Sequence, residues 1–290
     1  MYHILYNPMA SKGKCGKAFT QISKYLEGKG IEYVAHATEY AGHAIEIARD
    51  LSNGENEVNL IIIGGDGTFS EVLNGIVNFD KVNLGLIPCG TGNDYAKKAG
   101  ISTKPIEALE NILNGKAEYT DFIQLNGRRC LNVAGAGMDV DVLVRYSTMK
   151  AFFGKIKYYA SLIDVLTHLK FHKAKITIDG KEEERSVFLV AVANGTFIGG
   201  GMPISPNSDI NDGLIDVVVV DEIAPKKVLP LLIKFLAGGK HVNEPCTTSY
   251  KVKECRVEIL DEGKIQVDGE VLENKVLDAK IVSNTLKVIR

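Results

Sequence analysis

The stretch Asn59-Leu60-Ile61-Ile62-Ile63-Gly64-Gly65-Asp66-Gly67-Thr68 decides the fold. Its run of apolar, mostly β-branched residues reads as a strand buried on both faces, as in a parallel sheet, and it stops at a glycine cluster. From Thr68 to Val77 the pattern reads as a helix that starts there. A glycine-rich loop at the carboxyl end of a parallel strand, opening onto a helix N-terminus, suits a phosphate. Asp66 complicates that reading. A carboxylate beside phosphate repels it unless a divalent cation lies between them or the acid takes a proton from a nucleophile. The same residues also fit a plain strand-to-helix turn with Asp66 or Thr68 as the N-cap.

A second stretch, Val82-Asn83-Leu84-Gly85-Leu86-Ile87-Pro88-Cys89-Gly90-Thr91-Gly92-Asn93-Asp94, repeats the construction. Two successive strands of one parallel sheet end on the same side, so both loops would line one crevice. From Met1 to about Asp121 strands (near 2–7, 31–37, 59–64 and 83–88) alternate with helices (near 15–28, 42–52, 69–77, 93–99 and 105–114). This predicts a doubly wound, mostly parallel α/β domain. The loop Asn7 to Lys17 is rich in glycine and lysine and also faces the phosphate edge, or else is a solvated basic turn. Thr38 could give its hydroxyl to a phosphate, and His43 reads as a capping or packing residue.

Beyond Asp121 most segments read as strands: Asp121–Leu125, Arg128–Ala134, Ala174–Ile178, Glu184–Asn194, Gly213–Val220, Tyr250–Ile259 and Lys264–Val267. The Asn126-Gly127 and Asp179-Gly180 turns point to antiparallel pairing and a β-sandwich. One helical interruption, Arg145 to Lys175, interleaves basic residues with Phe152, Phe153, Tyr158, Tyr159 and Phe171 around a single acid, Asp164. Either it meets an anionic membrane interface, or the aromatics are the buried face of a helix whose lysines are solvated.

The 290 residues, 45% hydrophobic, suffice for two cores, and a net charge of −2 carries no global signal for nucleic acid or membrane. Five cysteines without metal-ligand spacing argue against a zinc site or disulfide framework and for a reducing cytoplasm. The first residues read as a strand, not a signal peptide, and no apolar run approaches the roughly 20 residues that span a bilayer.

Gly64-Gly65-Asp66-Gly67-Thr68 together with Pro88-Cys89-Gly90-Thr91-Gly92-Asn93-Asp94 resembles the signature of the diacylglycerol kinase catalytic-domain family, above all its soluble bacterial lipid kinases. The resemblance extends to Asn7-Pro8, to Thr38 with Gly42-His43-Ala44, to Asn211-Asp212-Gly213-Leu214 and to Asp268-Gly269-Glu270. It implies a nucleotide-binding α/β domain (1–121 plus 278–290), a β-sandwich lipid-binding domain (122–277) and an interdomain cleft. ATP and Mg2+ are the implied cofactors. Asn7, Thr38, Gly64, Gly65, Gly67, Thr68, Gly90, Thr91 and Asn93 are the candidates for holding ATP. Glu71 is either a nucleotide-side ligand or a capping-box partner of Thr68. Asp66 and Asp94 would organise the catalytic Mg2+, partly through water, while Asp212, with the carbonyls of Asp209 and Leu214, would hold a structural Mg2+. Asp121, with Glu270, is the candidate to accept the proton of the lipid hydroxyl, the division between Asp66 and Asp121 staying open.

The expected reaction is transfer of the γ-phosphate of ATP to diacylglycerol by a cytoplasmic enzyme at the inner face of the membrane. The expected partner is an anionic lipid surface met by Arg145 to Lys175. No nucleic-acid partner is expected, and a homodimer is compatible with the reading. Rival readings are a kinase of phosphatidylglycerol or a sphingoid base, an NAD-kinase-like enzyme acting on a soluble substrate, and a non-catalytic regulator that binds nucleotide and membrane.

Overall fold

The computed structural model describes residues 1–150 and 154–290, so Phe152 and Phe153 of the basic aromatic stretch lie outside the described residues. The chain divides into two compact units. The first comprises Met1–Phe122, Ile210–Asp212 and Val282–Arg290, and the second Ile123–Asp209 and Gly213–Ile281.

The first unit runs β1 (Tyr2–Tyr6), α1 (Ala10–Gly28), β2 (Tyr33–Ala37), α2 (His43–Ser52), β3 (Val58–Gly64), α3 (Asp66–Gly75), β4 (Val82–Pro88), α4 (Asp94–Lys98), α5 (Pro105–Asn114) and the start of β5 (Ala117–Leu125). Strands β2, β1, β3 and β4 lie side by side, all parallel. Leu60 to Ile63 are fully buried, as a strand covered on both faces must be. On one face Ile4, Ile61, Ile63 and Ile87 pack on Ile22 and Leu26 of α1 and on Leu109 and Ile112 of α5. Each such side chain contributes about 1.5–3 kcal/mol by burial.

Two local expectations change. Gly65, not Asp66 or Thr68, is the N-cap of α3, and Asp66 is its first helical residue. Within the span of α1, Ser11, Lys12 and Gly13 all have positive φ, so the regular helix begins only after them.

The second unit continues β5 and adds β6 (Arg128–Cys130), β7 (Val133–Gly137), α6 (Met138–Thr148), α7 (Gly154–Thr167), β8 (His172–Ile178) and β9 (Lys181–Ala193). There follow the two-residue strands β10 (Phe197–Ile198) and β11 (Met202–Pro203), then β12 (Ile215–Asp221), α8 (Pro225–Leu236), β13 (Thr247–Val252), β14 (Glu254–Ile259), β15 (Ile265–Val267), β16 (Glu270–Leu272) and β17 (Val276–Ile289). The long β9 organises the sandwich. Its first half pairs with β8, and its second half lies between β7 and β12, all antiparallel. Val190 and Val192 face one core while Phe188, Ala191 and Ala193 face another, so this strand too is buried on both sides. The hairpin turns Asn126-Gly127, Asp179-Gly180 and Asp268-Gly269 all have positive φ at both positions, the geometry that matches strand twist in a two-residue loop.

Three expectations are corrected here. The strand expected over Arg128–Ala134 breaks between β6 and β7, because the Asp268 carboxylate takes the backbone N–H groups of Leu131 and Asn132, both at 2.8 Å. The strand expected over Tyr250–Ile259 is two strands with different partners, β13 on β12 and β14 on β8. No element was expected between Val220 and Tyr250, where α8 runs despite Pro230 in its interior. Among the described residues, no helix is long and apolar enough to cross a membrane. In the first unit, Lys287 and Val288 of β17 pair in parallel with β4, whereas Val276 to Lys280 of the same strand pair with β14 in the second.

His172, at the start of β8, is buried and sits between two carboxylates. Its Nε2 lies 3.4 Å from Asp141 of α6 and its Nδ1 3.0 Å from Asp261. The Asp141 and Asp261 carboxylates outweigh burial and raise its pKa from the ordinary 6.5 to about 9. A raised pKa makes a contribution that is fully present below pH 6.5 and lost as pH climbs through about 9. At its maximum it is worth up to about 3 kcal/mol. The melting temperature should therefore fall between pH 6.5 and 9.5 more steeply for the native protein than for His172→Gln, as read by calorimetry at matched ionic strength.

Candidate active site

The parallel register of the first unit brings four loops to one edge. Tyr6 lies level with Ala37 and Ile63, and Gly64 lies level with Pro88. Thr38 N–H donates to the Tyr6 carbonyl at 2.9 Å, and Cys89 N–H to the Gly64 carbonyl at 2.8 Å. Asn7, Thr38, Gly64 to Thr68 and Gly90 to Asn93 thus leave the sheet at its carboxyl end, as the topology of open α/β sheets requires. Thr38 is buried; Gly67 and Thr91 are exposed. Asn7 does local work as well, its side-chain oxygen accepting the N–H groups of Met9 and Ala10 at 3.0 and 3.1 Å. Glu71 is half-buried on the first turns of α3. His43 is a packing residue: its Nδ1 accepts Glu39 N–H at 3.1 Å and its ring stacks on Tyr40.

Asp66 joins the two glycine loops. Its Oδ2 accepts the N–H of Asp94 and its Oδ1 that of Tyr95, both at 3.0 Å. The carboxylate therefore caps α4, where negative charge meets the positive end of the peptide dipoles. This clamping role escaped the sequence reading, because nothing local says that residues 66 and 94 meet. Each carboxylate oxygen keeps a second lone-pair site, so the same group can also accept from water. Asp94 is buried, with Lys97 Nζ 3.4 Å from its Oδ1.

The glycines divide by function. A Cβ on Gly65 would lie 2.8 Å from Gly90 Cα, and one on Gly90 would lie 2.6 Å from both Gly65 Cα and Asn93 Oδ1. Gly64 is crowded by Thr68, and of the three glycines around Asp66 Gly67 alone leaves open space within 4 Å. Around Asp66, Gly64 and Gly65 thus serve loop-on-side-chain and loop-on-loop packing as well as leaving their backbone open to a ligand's approach. Asn93 is held in the left-handed conformation (φ 53°) and gives its Nδ2 to the Gly90 carbonyl at 3.0 Å. Its Oδ1 is buried with no hydrogen-bond partner among the described residues. Such an acceptor costs about 1–3 kcal/mol when left alone, a cost that a ligand N–H or O–H, or a water, would relieve. A pocket beside this loop is lined by Lys14, Lys17, Cys89, Gly90 and Asn93, so cationic groups flank the same edge.

Asp121 is buried on β5, its N–H donating to the Ile210 carbonyl at 2.7 Å while Thr120 Oγ1 reaches the same carbonyl at 3.2 Å. Asn211 bonds the Tyr119 carbonyl, so the segment Ile210–Asp212 lies along β5 within the first unit. Asp212, exposed, belongs to the first unit; Asp209 and Leu214 belong to the second. Glu270 is exposed in the second unit and forms an ion pair with Arg128. Among the described residues no three His, Cys, Asp or Glu side chains are grouped so as to hold a metal by themselves. Any divalent cation here would rely on backbone carbonyls, water or ligand phosphate for most of its coordination.

Replacing Gly90 by Ala should push the two loops apart. We expect a loss of several degrees in melting temperature and of nucleotide binding measured by calorimetric titration. Asp66→Asn keeps one acceptor and offers an amide to the other N–H, so it should cost about 1 kcal/mol in urea unfolding and weaken nucleotide binding as well.

Residues 1–125 match the diacylglycerol kinase catalytic domain family, and residues 132–290 match the YegS C-terminal NAD kinase beta sandwich-like domain family. A diacylglycerol kinase of Bacillus subtilis (strain 168) is 31% identical over 272 residues, which covers 92% of this chain and 88% of that one. A diacylglycerol kinase of Staphylococcus carnosus (strain TM300) is 28% identical over 270 residues, covering 92% and 87%. The crystal structure of a diacylglycerol kinase from Bacillus anthracis (strain Sterne) has the same fold, with a TM-score of 0.75 at 24% identity over 99% of this chain and 96% of that one. An NAD kinase from Archaeoglobus fulgidus, solved with ATP, shares the fold more distantly, with a TM-score of 0.55 at 13% identity over 100% and 94%. Two families matched in order along the chain, on an α/β unit whose glycine loops meet at one sheet edge, place the chain in the diacylglycerol kinase catalytic-domain family of lipid kinases.

Proposed function

We propose that the protein transfers the γ-phosphate of ATP to the hydroxyl of diacylglycerol, giving phosphatidic acid. The observation that carries the lipid part is an apolar cavity in the second unit. It lies beneath α7 and α8 and is walled by Leu162, Leu166, Met202, Phe188, Leu231 and Phe235. The space is about 40 Å³ as it stands, so an acyl chain would have to widen it between α7 and α8; a hydrocarbon gains free energy in such surroundings, while a soluble dinucleotide would leave its polar groups without partners there. Asp139 borders the same cavity. Its Oδ2 accepts Gln266 Nε2 at 3.0 Å, and its buried Oδ1 has no partner among the described residues. Burial raises its pKa to about 6. This gives the cavity a polar group able to take an O–H at the head of an otherwise greasy ligand.

The candidate stretch for membrane contact is Arg145 to Lys175. Arg145 pairs with Asp164 at 2.8 Å, Lys157 lies over the Tyr146 ring, and Tyr158 and Phe171 pack against the helix-covered core. Lys150, Lys170 and Lys173 are exposed and are the groups that would face an anionic surface.

In this reading the backbone of Gly65 to Thr68 and Gly90 to Asn93, with Asn7 and Thr38, holds the phosphates at the sheet edge. Asp66 and Asp94 are the carboxylates that would hold Mg2+ through water, which when bound neutralises charge on the phosphates. For the structural Mg2+, Asp212 would give the side-chain oxygen and Asp209 and Leu214 their carbonyls. Asp121 takes the proton of the lipid hydroxyl, and Glu270 is the second carboxylate of that step.

Asp121→Asn should lower transfer of labelled phosphate from ATP to diacylglycerol micelles by at least about a hundredfold, with the far-ultraviolet spectrum unchanged. Near-normal turnover in that variant would remove Asp121 from the chemistry. A panel of diacylglycerol, phosphatidylglycerol, a sphingoid base and NAD, read by thin-layer chromatography, should show product with diacylglycerol first. Phosphorylation of NAD alone would overturn the lipid reading.

A further inference from the structure

Helix α8 has two apolar faces. Val228, Leu231 and Phe235 point inward, buried over the apolar cavity. Leu229, Ile233 and Leu236, spaced by four and three residues, form a second stripe on the outside, exposed by 65%, 59% and 48%. Its neighbour α7 repeats the arrangement: Leu162 and Leu166 line the cavity, and Ile156 and Ile163 are exposed by 67% and 63%. A water-soluble surface has no use for five large aliphatic side chains on the two helices that roof one cavity.

The charge along α8 has one sign. The helix carries Lys226, Lys227 and Lys234 and no acid, and Lys240 follows it. Of the acids that flank it in the chain, Glu244 is paired with Lys234 at 2.5 Å, and Glu222, which keeps its charge, accepts the Ser186 hydroxyl at 2.7 Å. Lys226, Lys227 and Lys240 are exposed. Aliphatic side chains beside exposed lysines complement an anionic interface, with the lysines at the headgroups and the stripe in the acyl region. A two-fold contact between copies of the chain would bring the lysines of two such helices together, and that repulsion disfavours a second copy as the occupant.

We propose that the outer face of α8, centred on Leu229 and Ile233 and edged by Lys226, Lys227 and Lys240, docks the second unit on an anionic bilayer. A more polar pocket between α7 and α8, lined by Tyr158, Gly199 to Gly201, Met202 and Leu236, lies beside the apolar cavity and shares Tyr158 and Met202 with it. Docking by α8 therefore sets the cavity against the membrane, so that an acyl chain enters from lipid with little exposure to water. The proposal rests on the lipid-kinase reading and adds α8, as a second surface that meets the membrane, to the Arg145 to Lys175 stretch.

The chain has no tryptophan, so Leu229→Trp carries the sole indole. In the full-length protein its fluorescence should shift to the blue with phosphatidylcholine vesicles containing phosphatidylglycerol and be quenched by brominated acyl chains. An unshifted, unquenched indole in protein that sediments with those vesicles overturns the proposal. So does a blue shift without vesicles that grows with protein concentration, which would make the stripe a subunit interface. Leu229→Ser with Ile233→Ser should weaken vesicle binding at least about tenfold. Lys226→Gln with Lys227→Gln should weaken it about fivefold per charge, at low salt only. Both variants should keep native turnover on a short-chain, water-dispersed diacylglycerol, and unchanged vesicle binding in both overturns the proposal. The turnover arm separates the two ideas: native protein that binds vesicles yet phosphorylates no short-chain diacylglycerol contradicts the substrate and not the surface.

Discussion

The Asp66 carboxylate, accepting two N–H groups from the first turn of α4, is the contact on which the rest of the first unit's functional edge depends. Charge-assisted bonds of this kind are about twice as strong as neutral ones. They tie the loop after β3 to the loop after β4. With that tie in place, Gly65 and Gly90 meet backbone to backbone and Asn93 is pressed into a left-handed conformation with one oxygen buried. A helix of only five residues would be marginal alone; its N-terminal end is held from outside by a residue 28 positions earlier. Asp66 serves architecture first, and whatever it does for a nucleotide it does from a position already held.

In the second unit, carboxylates play a similar part. Asp268, in the two-residue turn between β15 and β16, receives the N–H groups of Leu131 and Asn132 and so fixes where β6 ends and β7 begins. Gln266 then links this turn to the cavity, since its Oε1 accepts Gly269 N–H while its Nε2 donates to Asp139. The Asp-Gly-Glu motif is thus also a structural joint. Around it β9 and β12 are buried on both faces, because the helices α7 and α8 cover what in a two-layer sandwich would be a solvated face. That third layer creates the apolar cavity. Helices laid over a sheet leave a gap unless every side chain interdigitates, and here the gap is lined almost wholly by hydrocarbon.

The α/β class of the first unit was legible in Leu60 to Ile63 and Leu84 to Ile87, because strands buried on both faces leave a continuous apolar run that no alternating pattern imitates. The I′ turns were legible too, since Asn-Gly and Asp-Gly tolerate the positive φ that these hairpins need. Less was readable where one residue serves partners far away. The break at Leu131 follows from a carboxylate 137 residues later. Helix α8, with Pro230 in its middle and lysines at both ends, has an apolar pattern that only the sheet beneath it explains.

By itself the sequence determined local matters: which runs are strands, where the chain must turn, and which loops carry glycine beside carboxylate. Those are set within a few residues by steric limits and by the spacing of apolar side chains. Only the tertiary structure decided which glycines pack on protein and which are open, that Asp66 reaches α4, that His172 lies between Asp141 and Asp261, and that α8 turns a second apolar face outward. Each of these depends on groups distant in sequence arriving within a few ångströms of one another. Hydrogen bonding, burial and charge act through that distance in space, which no count of residues along the chain contains.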